Sequence, residues 1–144
     1  MPIWGWIVVA VVVVLLAATA VVLWRRSRRR PPMLQLRPLP EGVLPGYLER
    51  ADELEKLFVS QPREATASAK LLVDDMLVRM GYPIRLTDHE RVRDLRRPDP
   101  ENADRYQVGA DIKGDASTEQ LRRSLQAYLD MAREIATRPS VPAV

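Results

Sequence analysis

Apolar and polar residues alternate along this chain in two distinct regimes. From Trp4 to Trp24 the only polar side chain is Thr19, whereas beyond residue 45 apolar residues return every three or four positions. The first regime predicts one transmembrane helix. At about 1.5 Å per residue, Trp4–Trp24 would cover about 31 Å, close to the roughly 30 Å of a bilayer core. Trp4, Trp6 and Trp24 fall at its two ends, where indole rings favour the headgroup level. The span has no ionisable residue and no pair of small residues four apart, so it reads as a passive anchor rather than a transport or helix-pairing element.

The second regime predicts an all-α domain of four or five helices. Leu44, Tyr47, Leu48, Ala51, Leu54, Leu57 and Phe58 mark an amphipathic helix at about 46–59. A second helix opens with Pro62 in its first turn and runs to Met80, closed by Gly81 and Pro83. Ala65, Ala69, Leu72, Val73, Met76, Leu77 and Met80 form its wide apolar stripe, the expected centre of the core. Thr87 and Glu90 stand in capping-box spacing before a short helix at 88–97 with thin apolar content, Val92 and Leu95. Asp99-Pro100 opens a helix through about Ile112, with Ala103, Tyr106 and Ala110 inward. Ser117 with Gln120 caps the last helix, whose face carries Leu121, Leu125, Tyr128, Ala132 and Ile135 and which ends near Arg138-Pro139.

Between the two regimes, residues 31–45 hold Pro31, Pro32, Pro38, Pro40 and Pro45, which resist helix and read as a stiff linker. The expected organisation is therefore an anchor with its flank (1–30), a linker (31–45), a helical domain (46–138) and a disordered tail (139–144).

Charge alters this picture at one point. The chain holds 22 basic and 19 acidic residues, but Arg25, Arg26, Arg28, Arg29 and Arg30 sit together directly after the span. Setting those five aside leaves 17 basic residues against 19 acidic, so the domain is slightly acidic and a nucleic-acid role loses its support. The arginines also set a direction. A cleavable signal peptide, suggested by Ala18-Thr19-Ala20, carries positive charge before its apolar stretch, and here the order is reversed. The positive-inside rule then predicts an N-terminus outside and a cytoplasmic C-terminal domain at the cell membrane, with the arginine cluster facing the anionic headgroups of the lipid bilayer.

Candidate chemistry is sparse. Cysteine is absent, which removes disulfides, thiolate metal sites and thiol nucleophiles. The single histidine, His89, lies between Asp88 and Glu90 near a helix start and reads as a solvated polar residue rather than a zinc ligand. Asp74 and Asp75 are adjacent, point apart and make a poor acid/base pair. The six glycines are isolated, so no phosphate loop is present. No cofactor, metal site or enzyme activity is expected. Met76, Met80 and Met131 read as core fillers. The rigid turn Gly81-Tyr82-Pro83 is the candidate partner-binding point, since function gathers on loops carried by rigid helices.

Phe58-Val59 before Pro62, the run Ala65–Met80 into Gly81-Tyr82-Pro83, and Thr118-Glu119-Gln120-Leu121-Arg122 with Tyr128 together resemble an uncharacterised family of bacterial single-pass membrane proteins with a helical cytoplasmic domain. The resemblance spans about residues 36–136. Where that family has Ser-x-Asp-His-Pro, this chain reads Arg96-Arg97-Pro98-Asp99-Pro100, without the histidine. The resemblance thus implies no catalytic residue. The expected function is a membrane-anchored helical interaction or scaffold module whose partner is a membrane or cytoplasmic protein. The alternative is a lipid- or small-ligand-binding domain with a cavity between the Ala65–Met80 and Leu121–Ile135 helices.

Overall fold

A computed structural model describes residues 3–28 and 35–138. Every regular element in them is helical: α1 (Ile3–Arg28), a 3-10 turn (Glu41–Val43), α2 (Leu44–Leu57), α3 (Pro62–Met80), α4 (Asp88–Arg96), α5 (Pro100–Ala110) and α6 (Thr118–Thr137). The chain divides into two compact units, Met1–Leu34 and Gln35–Val144.

The first unit is α1. Its 22 residues Ile3–Trp24 are long and apolar enough to cross a membrane, and none of its most apolar stretch is buried by protein. Thr19, the lone polar side chain, donates its hydroxyl back to the Leu15 and Leu16 carbonyls at 3.0 and 2.9 Å, so the helix presents no unpaired hydroxyl to an apolar medium. Arg29 and Arg30 of the arginine cluster lie outside the described residues, as do the side chains of Arg25, Arg26 and Arg28.

The second unit is a bundle of α2–α6 built around α3 and α6. Ala65, Ala69, Leu72, Val73, Met76 and Leu77 of α3 are buried, as are Leu121, Leu125, Tyr128, Ala132 and Ile135 of α6. Small residues on α3 let α6 approach closely, and Thr66 donates its hydroxyl to the Pro62 carbonyl within its own helix. Tyr47, Ala51 and Leu54 seal α2 onto this pair. Met76 and Met131 fill the core, while Met80 is half-buried.

Capping residues stop and start the helices as their chemistry dictates. Ser117 and Gln120 form a reciprocal capping box, Thr87 accepts from the Glu90 amide, and Asp99 accepts from the Asn102 amide. Gly81 ends α3 at φ 109°, a left-handed conformation that favours glycine.

Three details depart from the sequence reading. Helix α2 begins at Leu44 rather than 46, because Pro45 falls in the first turn, where its missing N–H costs nothing. Helix α5 stops at Ala110, and it is Gly109 rather than Ala110 that faces fully inward. A methyl group on Gly109 would stand 2.6 Å from the Tyr128 ring, so this glycine permits the α5–α6 approach. Finally, residues 35–45 pack on the domain. Leu39 is buried, the Arg37 amide donates to the Met80 carbonyl at 2.8 Å, and Gln35 lies against Gly81.

Candidate functional site

Two features of α3, α4 and α5 concentrate polar chemistry. The first is a charged cluster. Asp74, on the edge of the α3 stripe, accepts from the Tyr106 hydroxyl at 2.8 Å and from Lys70 Nζ at 3.1 Å. Lys70 also pairs with Asp88 at the start of α4, 3.0 Å away. Arg91 is only 3% exposed and brings its Nε to 3.4 Å from Asp74 Oδ1, while its Nη1 donates to the Pro83 carbonyl at 2.8 Å. The Nε makes no hydrogen bond. Three helices are thus tied through one carboxylate.

Local sequence explains the arrangement. Lys70 and Asp74 are four apart and share a helix face. Asp88 and Arg91 are three apart on the first turns of α4, and Tyr106 reaches across from α5. Its ring meets Tyr128 edge-on with centroids 5.6 Å apart. Burial, and then donation to Asp74, pushes the Tyr106 hydroxyl far above the usual phenol range, and burial does the same for Tyr128. Burial pulls the Lys70 ammonium down, but its bonds to Asp88 and Asp74 outweigh that and raise it. The raised Tyr106 and Tyr128 hydroxyls and Lys70 ammonium stay protonated at neutral pH, and the bonds to Asp74 hold α3, α4 and α5 together.

The second feature is an open groove of about 550 Å³ between α4 and α5. Val92, Val108 and Ala110 supply apolar surface, and Asp88, Asp104, Asp111 and His89 supply the polar lining. Lys70 and Arg96 neutralise Asp88 and Asp104 from outside the groove, whereas Asp111 caps the C-terminal, electronegative end of α5. Among the described residues no group of three or more histidines and carboxylates converges as a metal site. A smaller but more enclosed groove of about 450 Å³ runs between α2 and α6, with Glu55, Arg122, Asp130 and Arg133 around Leu125 and Leu129.

The predicted site residues fall in separate places. Trp4, Trp6 and Trp24 lie on the exposed surface of α1. In the Gly81-Tyr82-Pro83 turn, Tyr82 is 4% exposed, Pro83 is half-buried and Gly81 is exposed, with the Gln35 carbonyl oxygen on the side where a side chain would project. The side chains that the turn does present are Ile84 and Leu86. Facing side chains of α3 and α6, where a ligand cavity was the alternative expectation, are buried. His89 is exposed and lines the α4–α5 groove.

Sequence reasoning missed the Lys70–Asp74–Asp88–Arg91–Tyr106 cluster, whose partners are up to 32 residues apart. The available signal was a carboxylate on an apolar stripe facing an inward tyrosine. No family model, curated protein or solved structure matches this chain.

Proposed function

We propose that this chain is a membrane-anchored helical interaction module. In this reading α1 crosses the bilayer with its N-terminus outside, and Arg25, Arg26, Arg28, Arg29 and Arg30 rest among inner-leaflet headgroups. The bundle then stands on the cytoplasmic side and binds a protein partner in the α4–α5 groove. The observation that carries the reading is the helix Ile3–Trp24, apolar but for Thr19 and with its most apolar stretch unburied by protein. The groove adds a surface: apolar walls to take a side chain, and the Asp111 carboxylate to meet a basic partner residue, Asp88 and Asp104 being paired with Lys70 and Arg96.

The reading is tested by proximity labelling from the C-terminus in intact cells, against a control that ends after the linker, and with Val108→Glu, a substitution at an exposed groove position. A protein enriched by the full chain, but not by the control or by Val108→Glu, is the expected result. No enrichment over the control overturns it.

A further inference from the structure

Residues 35–40 belong to no helix, yet they are seated on the bundle. Their burial follows a step of three: Leu36 is half-buried and Leu39 is 7% exposed, while Gln35, Arg37, Pro38 and Pro40 are exposed. That step is the repeat of a polyproline II helix, which places residues i and i+3 on one face. Pro40, at φ −58° and ψ 137°, has this conformation. Pro38 fixes its own φ and keeps Arg37 out of the helical region, so the free segment is already close to its seated form.

The seat is the C-terminal end of α3. The Met80 carbonyl is one of the last four of that helix and has no partner within it, and it accepts from the Arg37 amide at 2.8 Å. Gly81 gives the room: a methyl group there would stand 2.7 Å from the Gln35 carbonyl oxygen and 3.8 Å from the Leu36 Cα. The Gly81-Tyr82-Pro83 turn, which the sequence marks as a binding point, is thus engaged by the chain's own backbone. The hold is slight. Among the described residues, one hydrogen bond joins residues 35–40 to the helices, and Leu39 is their one buried side chain. These are the contacts of a docked peptide.

We infer that the end of α3 is a recognition site for an extended, proline-punctuated protein segment, and that residues 35–40 occupy it as a built-in competitor. The seated residues define the ligand. It carries two aliphatic side chains three apart, proline before and after the second, and a residue other than proline after the first, because that amide donates to Met80. A partner segment of the pattern Leu-x-Pro-Leu-Pro takes the site when residues 35–40 leave it. The contact lies wholly within the bundle, so it does not depend on the membrane reading, and it is separate from the α4–α5 groove.

The test uses the full chain in detergent micelles and, as probe, a capped synthetic peptide of residues 35–42. Leu36→Ser with Leu39→Ser weakens the tethered occupant. Arg37→Pro, at an exposed position, removes its amide donor, keeps both leucines, and carries the test if the serine pair unsettles the bundle. Binding is followed by the Gly81 and Tyr82 amide resonances. The tethered segment competes at a millimolar effective concentration, and loss of a covered leucine weakens docking by about tenfold or more. Half-saturation of the wild-type chain should therefore need about tenfold more peptide than that of either variant. The peptide should also raise the Tm of the variants and return their Gly81 resonance toward its wild-type position. A peptide with serine at both leucine positions should do neither. Variants that are folded by circular dichroism but bind no more tightly than the wild type, or a serine peptide that works as well, overturn the inference. Protection of the Arg37 amide that rises with protein concentration overturns it in favour of exchange of residues 35–40 between copies.

Discussion

Asp74→Ala removes the carboxylate on which three helices converge. Two consequences follow from the geometry. The Arg91 guanidinium, 3% exposed and 3.4 Å from Asp74, keeps its charge but loses that carboxylate. The Tyr106 hydroxyl loses its 2.8 Å acceptor and retains only the Asp88 oxygen at 3.4 Å. Breaking a buried ion pair by deleting one partner costs about 3–5 kcal/mol, and an orphaned buried hydroxyl about 1–3 kcal/mol. The Asp74 side chain is 23% exposed, so water offsets part of both, and a loss of about 3 kcal/mol is expected. For a domain of this size that lowers Tm by roughly 12–24 °C. Thermal unfolding of the full chain in detergent, followed by circular dichroism, measures it. Asp74→Ala with Arg91→Met should be less destabilised than the two single changes added together, because the second removes the charge that the first strands. A shift of only a degree or two, or strict additivity, would refute the idea that this cluster is a buried tie. It would then be worth no more than a surface pair.

Three further outcomes follow from the same structure. Gly109→Ala forces a methyl to within 2.6 Å of the Tyr128 ring and should cost about 1–3 kcal/mol by overpacking, seen as a lower Tm; an unchanged Tm would mean that α5 and α6 can separate freely. Gly81→Ala combines a φ of 109° with a methyl 2.7 Å from the Gln35 carbonyl oxygen, so it should release residues 35–37 and speed hydrogen exchange at the Arg37 amide. All four tyrosines titrate high: burial, and then donation to Asp75, pushes Tyr47 up to about 12, burial followed by nearby Asp99 pushes Tyr82 up to about 12, and Tyr106 and Tyr128 lie higher still. Raised folded-state values mean that this stability is complete below the unfolded phenol value of about 10 and is lost as pH rises above it. Tyrosinate absorbance should therefore lag behind that of free tyrosine and then rise together with unfolding; free titration near pH 10 in the folded protein would contradict the buried positions.

Much of this fold is legible in the sequence because each helix carries its own punctuation. Ser117 with Gln120, Asp99-Pro100, Thr87 with Glu90, and Gly81 before Pro83 mark ends through bonds made within a turn, and the stripes of α3 and α6 mark which faces are covered. What stays hidden depends on partners remote in sequence. Residues 35–39 look like a spacer because five prolines between 31 and 45 carry no period, and only Met80 and Gly81 reveal where that segment lies. Arg91 reads as one more charge on a polar helix until Asp74 and the Pro83 carbonyl are placed beside it. Gly109 was a legible clue, since a glycine inside a helix costs stability unless a close approach requires it. The sequence places Ile84 and Leu86 in a loop after a rigid turn, and only the fold shows that they point away from the core.

Glu119 is exposed on α6 and the chain contains no cysteine, so Glu119→Cys provides a single reactive thiol. Intact cells expressing this variant are treated with a membrane-impermeant thiol reagent, before and after permeabilisation. The proposed cytoplasmic, anchored placement predicts labelling only after permeabilisation, with the protein remaining in the membrane fraction. Ready labelling of intact cells, or recovery of the protein in the soluble fraction, would contradict it.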